Sequence, residues 1–94
     1  MRLRWSVAAI TDLDELRTYI AADNPPAAGR TVRRIRAAAL RIQEFPFSGA
    51  PASIEELRQS HVPATPFRII YRIETDVVLI VAIRHGARQW PPSA

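Results

Sequence analysis

Along this chain the spacing of hydrophobic and polar positions changes repeatedly, and each change marks a new element. In residues 2–7 the two alternate. Leu3, Trp5 and Val7 fall on one side, and Arg2, Arg4 and Ser6 on the other, the period of a half-buried strand. From about 8 to 23 the spacing lengthens. Ala9, Leu13, Leu16 and Ile20 recur as on one stripe of a helix, and Asp12, Asp14 and Glu15 cluster in its first half, where the helix dipole favours acids. The stretch "DNPPAAG" interrupts the pattern. Asn24 can cap a new helix and Pro25 suits its first turn. In that second helix Ala28, Val32, Ile35, Ala39 and Ile42 form an apolar seam, and Arg30, Arg33, Arg34, Arg36 and Arg41 take much of the rest until Pro46 ends it. Two amphipathic helices joined by so short a link predict an antiparallel helical hairpin.

The remainder reads as strands. Residues 46–53, "PFSGAPAS", are a loop, and 57–63 are a weak strand whose polarity implies partial exposure. Residues 66–74 are a strong strand. Phe67, Ile69, Tyr71 and Ile73 share one face, and Arg68, Ile70 and Arg72 the other. After a turn at "ETDV", residues 77–83, "VVLIVAI", are apolar on both faces and predict a central strand, antiparallel to the one before. The expected architecture is α+β: an N-terminal strand, a helical hairpin, then a three-stranded antiparallel sheet, in two layers and one domain spanning 1–94.

Composition narrows the function classes. The chain has 94 residues and no cysteine, so neither a disulfide framework nor a zinc-finger site is expected. The longest apolar run is strand length, far below the ~18 residues of a membrane helix, and the start lacks the features of a signal peptide. A cytoplasmic protein with no membrane contact is expected. All 13 basic residues are arginine and the net charge is +4. Arginine grips phosphates and carboxylates bidentately, so a polyanionic partner fits the balance without being required by it.

In order and spacing, these segments resemble the RelE/ParE superfamily of type II toxin–antitoxin toxins, also called plasmid stabilisation proteins. The resemblance rests on Trp5, Ala9, Asp12-Leu13, Tyr19-Ile20 and Asn24-Pro25 with Ala27-Ala28; on "FPFSGAP"; on "PFRIIYRI" with its Tyr71-Arg72 pair; and on "IRHGARQWP", similar to the ending of a ParE-like subgroup. It covers nearly the whole chain. The loop departs from the family, which commonly has a second glycine and a basic residue there, so no loop contact carries over.

The resemblance implies one of two modes. ParE-like members inhibit growth by binding DNA gyrase. RelE-like members are ribosome-dependent, metal-free endoribonucleases that cut mRNA, and the shared fold does not choose between them. Metal-free RNA cleavage needs a proton acceptor, a proton donor and cations for the developing phosphorane charge. Arg68 matches the strand arginine of RelE-like sites; Arg84, His85 and Arg88 follow the last strand, and Arg58 could join from a neighbouring one. Arg68, Arg84, His85 and Arg88 are the catalytic candidates if the protein is a ribonuclease, and Arg58 counts among the target- or antitoxin-binding candidates. RelE-like enzymes also tend to carry sheet lysines and a C-terminal tyrosine. This chain has no lysine, its tyrosines are Tyr19 and Tyr71, and its C-terminal aromatic is Trp90. Binding needs only exposed anchors, and Arg84, Arg88 and Trp90 are residue types that supply interface energy. This balance favours the ParE-like mode. A third reading is a decayed toxin that only stabilises its antitoxin.

The family also implies a cognate antitoxin, of ribbon-helix-helix or similar type, in a hetero-oligomer with the toxin. Ile70, with Val78 or Ile80, is expected to form an apolar stripe on the sheet's open face, flanked by Arg68 and Arg72, that an acidic amphipathic tail would cover. The target is then DNA gyrase or the ribosome with mRNA. No cofactor or metal is implied. The plainer readings are a strand-end role for His85, a structural or solvent-facing one for His61, an Arg72 paired to Glu74 or Asp76, and helix-start charges at Asp12, Asp14 and Glu15.

Overall fold

The first strand gives way to helix at Ser6. In the computed structural model, which describes residues 1–52 and 56–86, β1 is Arg2–Trp5 and α1 is Val7–Ala21. The Ser6 hydroxyl accepts from the Ala9 N–H at 3.0 Å and donates to the Val81 carbonyl at 2.9 Å, while its own N–H donates to Ile80 O at 2.9 Å. One residue thus caps the helix and fastens its start to the sheet. Val7, expected as the strand's last inward residue, opens the helix instead and is 83% exposed. With the helix starting here, Asp12, Asp14 and Glu15 all lie beyond its first turn, which holds no acid. Their expected role as helix-start charges is therefore corrected.

The second helix forms as the sequence predicts. Asn24 accepts from the Ala27 N–H at 3.2 Å, and α2 runs Pro25–Glu44. It buries Ala28, Ile35, Ala38, Ala39 and Ile42, while Val32 is only half-buried. Phe45 ends it, since a residue before proline is driven out of helical geometry.

Four more strands follow: β2 (Ala50–Pro51), β3 (Leu57–His61), β4 (Phe67–Glu74) and β5 (Val77–His85). The sheet has five strands in the order β1-β5-β4-β3-β2, one more than the N-terminal strand and three later strands expected. β1 joins it parallel to β5, and β2, two residues inside the predicted loop, pairs with β3. β5 is central, between β1 and β4. The helices cover one face, and no helix among the described residues is long and apolar enough to cross a membrane.

A bulge decides which side chains of β5 face the helices. Ile70 pairs with Ala82 and Tyr71 with Ile80, so Val81 has no partner residue on β4. The inward positions of β5 are therefore Val78, Ile80 and Ile83, with a step of three where regular alternation would give two. They pack with Ile69, Tyr71, Ile35, Ala39 and Val62 in the core. The Val81 carbonyl at the bulge is the one that receives the Ser6 hydroxyl. This overturns the expected stripe. Val78 and Ile80 face the helices, whereas Ile70 lies on the other face opposite Ala82, and both Ile70 and Ala82 are buried, at 0% and 1% exposure.

Tyr71 ties the sheet to the loop after α2. Its hydroxyl donates to Pro46 O at 2.8 Å and accepts from the Gly49 N–H at 3.0 Å. Gly49 is needed for space, because a Cβ there would run into the Tyr71 ring and hydroxyl and the Gln59 carbonyl. Burial raises the Tyr71 pKa above that of a free phenol, against the opposing pull of the Gly49 N–H and the Arg58 charge.

Candidate functional site

β5 outruns its parallel neighbour. β1 pairs with it only as far as Trp5 and Ile80, so among the described residues no strand lies beside the outer edge of 81–85. The helix α1 covers that edge through Asp12. One carboxylate oxygen of Asp12 accepts from the Ile83 N–H at 3.0 Å and from the Arg84 guanidinium at 2.9 Å. The side chains of Arg84 and Asp12 are 28% and 19% exposed, so this charge-assisted pair is largely shielded. By register Arg84 belongs with Arg68, on the face away from the helices. Its guanidinium reaches round the edge to the helix side.

His85 lies on the helix side as well. It pairs with Phe67, which packs against the core, and the two rings meet edge-to-face at 5.7 Å and 80°. Between α1 and these strand ends is a cleft of about 660 Å³, lined by Asp12, Glu15 and Tyr19 from α1 and by Phe67, Arg84 and His85 from the sheet. Tyr19 is 82% exposed. The sequence hides this phenol because 66 positions separate it from His85; only the packing of α1 over the β5 edge unites them.

Arg68 is on the opposite face, where it donates to Gln59 Oε1 at 2.7 Å across β3. Arg72, also on that face, pairs with Glu74 at 3.5 Å, and its Nε is buried without a hydrogen-bond partner among the described residues. Arg58 does not join the strand-end group. It sits opposite Tyr71, three residues or about 10 Å along β3 from the Arg68 row. There its guanidinium donates to Gly49 O at 3.0 Å and lies 5.2 Å from the centre of the Phe47 ring, clamping the loop after α2. His61 Nε2 contacts the Thr65 carbonyl at 2.8 Å, and since a carbonyl only accepts, this nitrogen carries the proton. Arg88 and Trp90 lie outside the described residues. Among the described residues no three His, Asp or Glu side chains gather to hold a metal.

The cleft thus unites an imidazole, a phenol, one guanidinium and two carboxylates. Asp12 offsets the charge of Arg84, and the next candidate cation, Arg68, faces away. Such a site can hold a mixed polar and aromatic contact, but its described residues do not concentrate positive charge on a phosphate.

Comparison with known proteins places the chain. The sequence profile of the ParE toxin of the type II toxin–antitoxin system parDE matches residues 3–90. The Sinorhizobium fredii protein Y4kP is 41% identical over 90 residues, covering 96% of this chain and 93% of its own. The toxin RelE2 of Caulobacter vibrioides is 38% identical over 86 residues, covering 89% and 93%. A chain of the chromosomal ParDE toxin–antitoxin system from P. aeruginosa shares the fold, with a TM-score of 0.84 at 23% identity over 90% of this chain and 95% of that one. The chain belongs to the ParE toxin family and is the toxin component of a type II toxin–antitoxin system.

Proposed function

We propose that this toxin inhibits growth by binding a protein target, with DNA gyrase the first candidate, and that a cognate antitoxin of ribbon-helix-helix or similar type neutralises it. The observation that carries this reading is the separation of Arg68 from His85 on opposite faces of the sheet, with Arg84 held by Asp12. A ribonuclease needs a proton carrier and several cations converging on one phosphate. A binding surface needs only anchors around a cleft, and Tyr19, Arg84 and His85 are of that type.

One observation favours a second reading, RNA cleavage. His85 and Tyr19 share the cleft, and both can exchange protons. The carboxylates of Asp12 and Glu15 in the same cleft weigh against it, since they repel a phosphodiester. Expression without antitoxin separates the two. The binding reading expects early induction of the DNA-damage response with transcripts intact. Codon-phased cuts inside translated messages, without that response, would replace it with the ribonuclease reading.

For antitoxin docking, the face away from the helices offers Arg68 and Arg72 around a closed centre at Ile70 and Ala82, with Leu79 half-buried beside them. Leu79→Asp combined with Arg72→Glu is expected to weaken antitoxin capture at least tenfold while the toxin stays folded. Unchanged capture would move the docking surface elsewhere.

A further inference from the structure

The net charge of the molecule resides on one helix. α2 holds five arginines and one acid, Glu44, while the rest of the chain holds eight basic and eight acidic residues, so the whole excess of +4 lies on α2. Arg30, Arg33, Arg34, Arg36 and Arg41 are all exposed. Among the described residues none of the five makes an ion pair or a side-chain hydrogen bond. An ordinary solvated helix face sets acids three or four residues from its bases, whereas like charges at those spacings destabilise the helix. Here Arg30 and Arg34, Arg30 and Arg33, and Arg33 and Arg36 are all such like-charged pairs.

The arrangement is linear. The buried face of α2 carries Ala28, Ile35, Ala38, Ala39 and Ile42. Arg30, Arg34, Ala37 and Arg41, at steps of four, three and four, follow the opposite side as one row, with Arg33 beside it. At 1.5 Å per residue the row is about 16 Å long.

We propose that this arginine row binds the phosphate backbone of duplex DNA. Guanidinium forks match phosphate oxygens bidentately, and a straight helix sets them in line against a regular phosphate array. Between its arginines the row holds only Ala37, and the neighbouring Leu40, 59% exposed, is a single apolar side chain rather than the stripe an acidic amphipathic peptide would cover. The nearest exposed aromatic ring along the chain, Phe45, follows the last arginine at the helix end, so no ring lies between the arginines for single-stranded bases to stack on. The choice of DNA over duplex RNA rests on the gyrase reading above, in which the target works on duplex DNA. The affinity for duplex phosphates does not depend on that reading.

Fluorescence anisotropy of the full-length toxin with a random-sequence DNA duplex of roughly 20 bp tests the proposal. Three to five phosphate contacts predict an affinity that falls by roughly 10²-fold between about 50 and 200 mM salt. The triple variant Arg30→Gln, Arg34→Gln, Arg41→Gln, with circular dichroism confirming the helix, should bind at least tenfold more weakly at the low salt and lose about three from the salt slope. Equal binding by the folded variant, no binding by the wild type at low salt, or tighter binding of duplex RNA or single-stranded RNA of the same length would overturn it. Failure of the gyrase reading alone has a different signature: DNA binding through the row persists, but purified gyrase is not inhibited.

Discussion

Asp12 accepts hydrogen bonds from two groups on β5 at once, the Ile83 N–H and the Arg84 guanidinium. Removing the carboxylate strands a part-buried backbone donor and a shielded charge together. Asp12→Ala should therefore lower stability by about 2–3 kcal/mol, read as a shift of the urea midpoint, while Asp12→Asn, which keeps an acceptor for the N–H, should cost less. Equal losses for the two would mean that the Ile83 bond contributes little. Tyr71 gives a pH signature. Its folded pKa is raised, so above pH about 10 the unfolded chain releases this proton while the native state keeps it, and stability falls as pH rises through that window. Tyr71→Phe should cost about 1–2 kcal/mol at neutral pH through the lost bonds to Pro46 and Gly49. Its deficit relative to wild type should shrink above pH 10, in paired denaturation curves. A constant deficit would contradict the assigned shift. The sequence shows Asp12 as a helix acid and part of a family motif but not its link to β5, because a bond spanning 71 positions leaves no local pattern. Tyr71, by contrast, faces inward as strand parity predicts.

At the level of elements, the periods located both helices and the four longer strands to within two or three residues, since each buries a continuous stripe. Asn24 and Pro25 fixed the start of α2 for a local chemical reason, a cap and a proline at the first turn. Two features escaped. β2 is two residues long, too short for alternation to register. The bulge at Val81 lies in a strand apolar on both faces, so a change of parity leaves no polar residue on the wrong side to reveal it. The turn register sets Val78 and Ile80 opposite Ile73 and Tyr71 on the helix side, and the bulge beyond them sets Ala82 opposite Ile70. The burial of Ile70 follows from the same geometry and can be tested. Ile70→Asp places a charge at a fully buried position and should unfold the protein or lower its stability by about 3 kcal/mol or more. A folded variant of near wild-type melting temperature that has lost only antitoxin binding would restore the exposed stripe.

Across the whole molecule the two sheet faces do different work. The helix side holds the core and, at the end of β5, the cleft with Tyr19, Arg84 and His85; the other face holds Arg68 and Arg72. The sequence revealed the family, through short motifs in order, and it named as site residues Arg84 and His85, which line the cleft, but not Tyr19 or Asp12 beside them. It did not reveal the division of the site residues between faces, because register and the reach of Arg84 round a sheet edge are properties of the assembled sheet. That division is the ground on which binding is proposed rather than catalysis. The most direct measurement of this claim is supercoiling by purified gyrase in the presence of the wild-type toxin and of His85→Ala. The wild type is expected to inhibit supercoiling and the variant to retain inhibition to within about tenfold, since an anchor contact is worth about 1 kcal/mol or a little more. Supercoiling untouched by the toxin, together with ribosome-dependent mRNA cleavage that His85→Ala slows by about 10²-fold or more, would contradict that expectation.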